Sequence, residues 1–397
     1  MSEFPSDWKV LPLSEIAERV RRTSDDQNLD VLTISSTEGW VDQKKKWARD
    51  MAGKSIEKYT LLQQGEFSYN KGNSKTYPQG CIFRLENWHR ALVPNVYHSF
   101  SITNPEADGK FLQHLFASGG LNDQLRGVIT SSVRDNGLLN ITADTFFSSE
   151  VPVPPLPEQK KIAEILSGVD RLTEAKKRRV KQRKLLLKSA FEDATKKEAS
   201  DDFVPLSDLG RWRGGGTPSK SMPEYWGGEI PWVSPKDMKG RKISSSQDAI
   251  TQEALENSTT SLIPKNSILF VVRSGILRHT FPIALATREV AINQDLKALT
   301  VSDYCNPNFL LHYLCCRSEE MLASCMKSGT TVESIDTNSL QNYPVPVISI
   351  QEQLRLSLFA ESITMAIEAE ESQVESLKML KSSLGSDLLS GRKRVTI

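Results

Sequence analysis

Lysine, arginine and carboxamide side chains, mixed with aromatic rings, gather in five short stretches of this 397-residue chain. "WVDQKKKW" (40–47) sets Lys44, Lys45 and Lys46 between two tryptophans, and "FSYNKGNSKTYPQG" (67–80) adds Tyr69, Asn70, Lys71 and Lys75. "GRWRGGGTPSKSMPEYWGGEIPWVSPKDM" (210–238) offers Thr217, Ser219, Lys220 and Lys236. "FVVRSGILRH" (270–279) contributes Arg273, and "AINQDLKAL" (291–299) contributes Gln294. Ammonium and guanidinium groups neutralise phosphates, while amides, hydroxyls and guanidinium groups hydrogen-bond base edges. The set therefore suits duplex DNA. Ordinary surface loops, with Trp226 and Trp232 in the core, account for the same composition.

Catalytic chemistry finds little support. "ARDMAGKS" (48–55) loosely matches a phosphate-binding loop through Gly53-Lys54-Ser55, but Ala48 replaces its first glycine. Such a loop follows a buried strand and opens a helix, and "DQKKKW" is no buried strand. The five histidines (His89, His98, His114, His279, His312) lack metal-ligand spacing. No Gly-x-Ser-x-Gly, His-Glu-x-x-His or paired-carboxylate signature occurs, nor the Asn/Asp-Pro-Pro-aromatic motif of amino-methyltransferases. A nucleotide-binding enzyme is thus the least favoured class, and a protein-binding coiled-coil scaffold is the non-enzymatic alternative to DNA binding.

Net charge of +1 counts mildly against a chain that grips phosphate unaided, although local patches matter more than the sum. "MSEFPSDWKV" lacks a signal-peptide pattern, and no apolar run reaches the ~20 residues that cross a bilayer. The odd set of five cysteines has no CxxC spacing. Cytoplasmic residence without membrane attachment is the expectation.

The elements that would carry these residues come from an internal repeat. "VPVPPLPEQKKIAEIL" (151–166) returns as "YPVPVISIQEQLRLSLF" (343–359), offset by 194 at the Glu-Gln pair. "LPLSEIAERV" (11–20) returns as "VPLSDLGRWR" (204–213), and "FLQHLF" (111–116) as "FLLHYL" (309–314). The order is domain, helix, domain, helix: 1–150, 151–199, 200–343 and 344–397. Each Pro-rich stretch reads as a hinge opening one long amphipathic helix, with Pro157 near the start of the first and a Ser349/Glu352 capping box on the second. The expected seam carries Ile162, Ile165, Val169, Leu172, Val180, Leu187 and Phe191 on one side. Leu356, Phe359, Ile363, Ile367, Val374, Leu377, Leu380, Leu384 and Leu388 form the other. Residues 171–188 have one acid, Glu174, whereas 361–375 hold five glutamates and no base. Opposite charge favours pairing of the two helices, and connectivity makes that pairing antiparallel. Gly391 is the expected stop, followed by a basic tail.

The duplicated Pro-x-Glu-Gln helix start resembles the specificity subunit of type I restriction-modification systems. "GGTPSKSMPEYWGGEIPWVSPKDM", "FSYNKGNSKTYPQGCIFRL" and "AINQDLKAL" are similar to segments of that family's target-recognition domains. The second copy departs from the pattern, with "ISIQEQ" in place of Pro-x-Glu-Gln. The resemblance implies α/β (α+β) target-recognition domains in tandem, joined by two long helices packed as an antiparallel coiled coil with pseudo-two-fold symmetry. It implies that the chain is not itself an enzyme. Each domain would read half of a bipartite, asymmetric double-stranded DNA site, and the rod would fix the spacer. Partners would be two adenine-methyltransferase subunits and motor-nuclease restriction subunits, which would carry S-adenosylmethionine, Mg²⁺ and ATP. It points to Lys44–Lys46, Tyr69, Asn70, Lys71 and Lys75 in domain 1 as DNA-binding residues. In domain 2 it points to Thr217, Ser219, Lys220, Lys236, Arg273 and Gln294.

Overall fold

The computed structural model describes residues 4–24, 26, 28–35, 39–46, 53–72, 77–129, 139–198, 203–327, 329 and 331–396. The chain divides into two compact units, Met1–Ala175 with Gln373–Ile397, and Lys176–Ser372. These are called units 1 and 2.

The repeat is visible in the sheets. Unit 1 orders its main sheet Ala17–Arg19, His98–Ile102, Phe67–Asn70, Cys81–Arg84, antiparallel throughout. Unit 2 repeats that order as Gly210–Gly214, Leu296–Val301, Ser267–Val271, Ile283–Ala286, and adds Lys242–Ile243 in parallel at the edge. A helix packs on each sheet, Gly109–Ala117 in unit 1 and Pro307–Cys316 in unit 2. Their first amides are capped by the Asp108 and Asn306 side chains, as helix N-termini require. Phe67, Phe100, Phe111 and Phe146 fill one core; Leu269, Phe270, Phe309 and Leu314 help fill the other.

The Pro-rich stretches are strands rather than the expected hinges. Glu150–Val153 pairs antiparallel with Lys9–Pro12, and Pro344–Pro346 with Phe203–Pro205. A two-stranded ribbon tolerates proline because each strand has a free edge. Val151 and Val345 are buried there and tie the ribbon to the core.

The repeated Glu-Gln now has a physical reason. Gln159 accepts from the Asp108 N–H at 2.7 Å and donates to the Glu106 and Pro154 carbonyls, each at 2.7 Å. Gln353 does the same with the Asn306 N–H at 2.7 Å and the Ile348 and Tyr304 carbonyls at 3.0 and 3.4 Å. In each unit one carboxamide thus joins the long helix to the capping residue of the core helix. The glutamates have diverged. Glu158 is buried, accepts from the Trp8 indole at 3.2 Å, and takes Arg394 at 2.6 and 2.7 Å. Arg394 also donates to Asp7 at 2.7 and 3.0 Å, so the tail is bound within unit 1. Glu352 instead pairs locally with Arg355.

The long helices span Leu156–Glu198 and Ile350–Leu388. The Ser349 hydroxyl accepts from the Glu352 N–H at 3.3 Å, as a capping box requires. Gly391 has φ +72°, the left-handed conformation that stops a helix. Within unit 1 Lys381 meets Asp170 at 2.7 Å; within unit 2 Arg183 meets Glu370 and Lys184 meets Glu371, both at 2.8 Å. Numbers rise on one helix as they fall on the other, so the packing is antiparallel and joins the basic run to the acidic one. Such pairs contribute at most about 1 kcal/mol each when exposed; buried Leu187, Phe191, Leu356 and Ala360 anchor the helices in unit 2. Leu172 and Leu380, expected in the seam, are 48% and 47% exposed. A helix of 3.6 residues per turn carries a regular three-four spacing gradually off its buried face. Among the described residues, no helix is long and apolar enough to cross a membrane, and all five cysteines are free thiols.

His98, His114 and His312 are buried, with ring nitrogens bonded to the Ile141 carbonyl, Ser167 and Glu361 respectively. Burial pushes all three below the ordinary value of 6.5. The unfolded chain therefore binds more protons than the folded one once pH falls below about 6.5, and stability drops with acidification in that window. Lowered carboxylates such as Glu361, held down mainly by Lys242, lose their contribution only at lower pH. The urea midpoint is expected to fall between pH 7 and 5, and to fall less in His98→Gln; an identical slope in that variant would exclude His98 as a contributor.

Candidate nucleic-acid interface

In unit 2, segments distant in sequence converge on an open cavity of about 600 Å³. Its lining includes Thr217, Lys220, Lys236, Arg273 and Gln294. The loop after strand Gly210–Gly214 lies so close to its neighbour that a Cβ on Gly215 would stand 2.0 Å from the Asn293 carbonyl oxygen. Only glycine fits. The Gly216 N–H donates to the Ile292 carbonyl at 3.0 Å, and the buried Trp232 indole to the Gly216 carbonyl at 3.0 Å. Trp226 packs edge-on against Trp232 and donates to the Ser219 carbonyl at 3.2 Å. The two tryptophans thus fix the loop that carries Thr217 and Lys220.

The other walls are equally well held. Lys236 lies in a turn where Asp237 accepts from both the N–H and the hydroxyl of Ser234, each at 2.8 Å. Arg273 follows the central strand, and its N–H donates to the Asp295 carbonyl at 3.3 Å. Gln294 sits in a turn closed by the Leu296 N–H on the Asn293 carbonyl at 3.2 Å, and Thr217 donates its hydroxyl to the Gln294 carboxamide oxygen. Lys220, Lys236, Arg273 and Gln294 are exposed. Three cations beside a carboxamide on a braced frame can neutralise phosphates and address a base edge. Ser219 lies outside the cavity lining and bonds to Ser221 at 2.7 Å.

Sequence reasoning missed Asp248, Asn293 and Asp295, which also line the cavity. A search for basic and aromatic clusters passes over acids, yet a carboxylate accepts from the cytosine amino group. Among the described residues, no group of three or more His, Cys, Asp and Glu side chains is placed to hold a metal ion.

Unit 1 does not assemble its expected residues in the same way. Tyr69 is fully buried, stacks on Phe146 at 4.5 Å and donates its hydroxyl to the Gln79 carbonyl at 2.7 Å. Burial pushes its phenol above the ordinary value. It is a core residue, because strand alternation turns it inward beside Phe67. Asn70 accepts from the Gly72 N–H at 2.9 Å, and the Lys71 carbonyl accepts from Leu139 at 2.8 Å. Lys44 is exposed at the start of the short helix Gln43–Lys46. The side chains of Lys45 and Lys46, and all of Lys75, lie outside the described residues. The loose phosphate-loop match leads into a 3-10 helix, Gly53–Lys58, not the α-helix such a loop opens.

A family model of the type I restriction modification DNA specificity domain matches residues 107–182 and 201–378. The EcoR124I/EcoR124II specificity subunit of Escherichia coli is 42% identical over 161 residues, 40% of either chain. The MjaIX specificity subunit of Methanocaldococcus jannaschii is 26% identical over 45% of this chain and 41% of its own length. The chain thus spans about 40% of these curated relatives' length. Among solved structures, the type I restriction-modification S subunit from M. genitalium matches with TM-score 0.55 and 14% identity, covering 98% of this chain and 97% of that one. A chain from a type I R-M system structure matches with TM-score 0.53 and 17% identity, over 97% and 98%. These two likenesses concern the fold. With two matched segments covering more than half of the sequence, the chain belongs to the type I restriction-modification DNA specificity family.

Proposed function

We propose that this chain is the non-catalytic DNA-reading subunit of a type I restriction-modification system. Each unit recognises one half of a bipartite, asymmetric duplex target, and the antiparallel helices act as the ruler that sets the unread spacer. The observation that carries this reading is the unit 2 cavity, where Lys220, Lys236, Arg273, Thr217 and Gln294 meet from separate segments. Divergent loops on a repeated frame support two different half-sites.

The chain docks two adenine-methyltransferase subunits and, where restriction occurs, motor-nuclease subunits. S-adenosylmethionine, Mg²⁺ and ATP belong to those partners, and the assembly works in the cytoplasm. Docking is supported by the outer face of the second helix, where Ile350, Leu354, Leu358 and Met365 are 44%, 47%, 73% and 63% exposed. Positions 194 earlier on the first helix hold Leu156, Lys160, Glu164 and Arg171, so the apolar stripe is not a general property of the repeat.

Mapping N6-methyladenine in a host with and without this chain tests the reading. One bipartite motif should lose its methylation when the chain is absent. Replacing residues 1–150 by those of a relative should then change one half of the motif only. A change in both halves, or methylation indifferent to the chain, would defeat the proposal.

A further inference from the structure

The strands beside the unit 2 cavity have counterparts in unit 1, and the matching turns at 94–97 and 293–296 set them in register. Phe270 faces both Ile283 and Lys297 across the sheet, while Tyr69 faces both Ile82 and His98. With the turn bonds Tyr97–Pro94 and Leu296–Asn293 matched, His98 holds the place of Lys297, and three residues earlier stand Asn95 and Gln294. An independent pairing agrees. Trp232 pairs in parallel with Ala291, as Val31 bridges Leu92 in parallel, and three residues onward stand Gln294 and Asn95 again.

The local geometry repeats as well. Strand Arg90–Val93 enters His98–Ile102 through a turn closed by the Tyr97 N–H on the Pro94 carbonyl at 3.1 Å. In unit 2 the matching bond joins Leu296 to Asn293 at 3.2 Å. Asn95 and Gln294 are each the second residue of their turn, each is exposed, and each carries a carboxamide. Ser24 stands where Thr217 does: Arg19 faces Phe100 as Trp212 faces Leu299, and each hydroxyl follows five residues later. The base of the unit 1 turn is braced by the Tyr97 hydroxyl, 3.1 Å from the Thr33 hydroxyl.

We infer that Asn95 is a base-reading residue of unit 1, occupying there the place of Gln294 in unit 2. This rests on the reading of the unit 2 cavity as DNA-facing. A carboxamide matches the adenine edge, donating to N7 and accepting from the N6 amino group. No hydrogen bond holds the Asn95 side chain among the described residues, so both halves of its amide are available. Val96 beside it is 42% exposed and offers apolar contact to a thymine methyl. None of the residues first expected in domain 1 includes this turn, because "PNVY" has no charge and no cluster.

The test compares Asn95→Ala and Gln294→Ala in the full chain, co-purified with its methyltransferase, by selection from a randomised duplex library. Asn95→Ala is expected to relax one position of one half-site, with discrimination there falling roughly tenfold or more. Gln294→Ala should relax one position of the other half-site. Asn95→Gln should retain part of the preference, and unchanged thermal melting will separate lost reading from lost folding. If only Gln294→Ala relaxes a position, the assignment of Asn95 is overturned while the cavity keeps its role. If neither does, the DNA-facing reading of the cavity fails first. Relaxation of both halves by Asn95→Ala would also overturn the inference.

Discussion

Replacing Lys220, Lys236 and Arg273 together by alanine is expected to weaken DNA binding by roughly a hundredfold or more at moderate salt. The three side chains are exposed around one cavity, so their loss removes charge without disturbing the tryptophans that hold the loop. Each cation that neutralises a phosphate releases counterions. The slope of log K against log salt should therefore flatten by about three for the triple variant. Gln294→Ala gives the contrast: it should change base preference while leaving the slope as it was. The measurement is a salt titration of affinity for the target duplex with the wild-type and variant assemblies. An unaltered slope in the triple variant would mean that these cations face something other than the backbone of DNA.

The second large effect concerns the repeated glutamine. Gln159→Ala leaves the Asp108 N–H and the Glu106 and Pro154 carbonyls without their partner. Gln353→Ala does the same to Asn306, Ile348 and Tyr304. Both glutamines are nearly fully buried, and each orphaned buried polar group costs about 1–3 kcal/mol. A loss of about 2–4 kcal/mol per variant is expected, since water will re-satisfy some of the freed groups. Urea unfolding followed by near-ultraviolet dichroism checks this. A loss below about 0.5 kcal/mol would show that the clamp is decorative. Each variant should loosen its own unit, because each set of partners lies within one unit.

What was legible in the sequence follows from what each signal depends on. Helix periodicity, capping at Ser349, the stop at Gly391 and the opposite charge runs are local, and all of them appear in the fold. The Glu-Gln repeat was visible, but its reason was not. Two of each glutamine's three partners are backbone groups about fifty residues away, and any sequence presents backbone groups there. Proline in "PVP" read as a hinge because the free edge of a two-stranded ribbon cannot be inferred from composition. Tyr69 is hard to place for a similar cause: "FSYNKG" looks like a polar loop, yet its first four residues form a central strand with Phe67 and Tyr69 inward. In unit 2 the expected residues other than Ser219 line one cavity, and glycine and tryptophan fix the loop that carries Thr217 and Lys220. In unit 1 the corresponding turn carries no charge, so composition does not mark it.

The two units differ in how they are drawn from the chain. Unit 2 is one unbroken stretch, Lys176–Ser372, whereas unit 1 needs Met1–Ala175 together with Gln373–Ile397. During synthesis at about 5–20 residues per second, the start of unit 1 must wait roughly 10–40 s for unit 2 to be translated. Only then do Leu388, Leu389 and Arg394 emerge to complete it. Until that moment Trp8 and Glu158 lack the guanidinium that closes over them. Completion therefore runs against chain order: the last contacts of the half encoded first form only after the half encoded in the middle has been translated. Chaperone dependence and early proteolysis should fall on unit 1, the part whose sequence has been outside the ribosome longest.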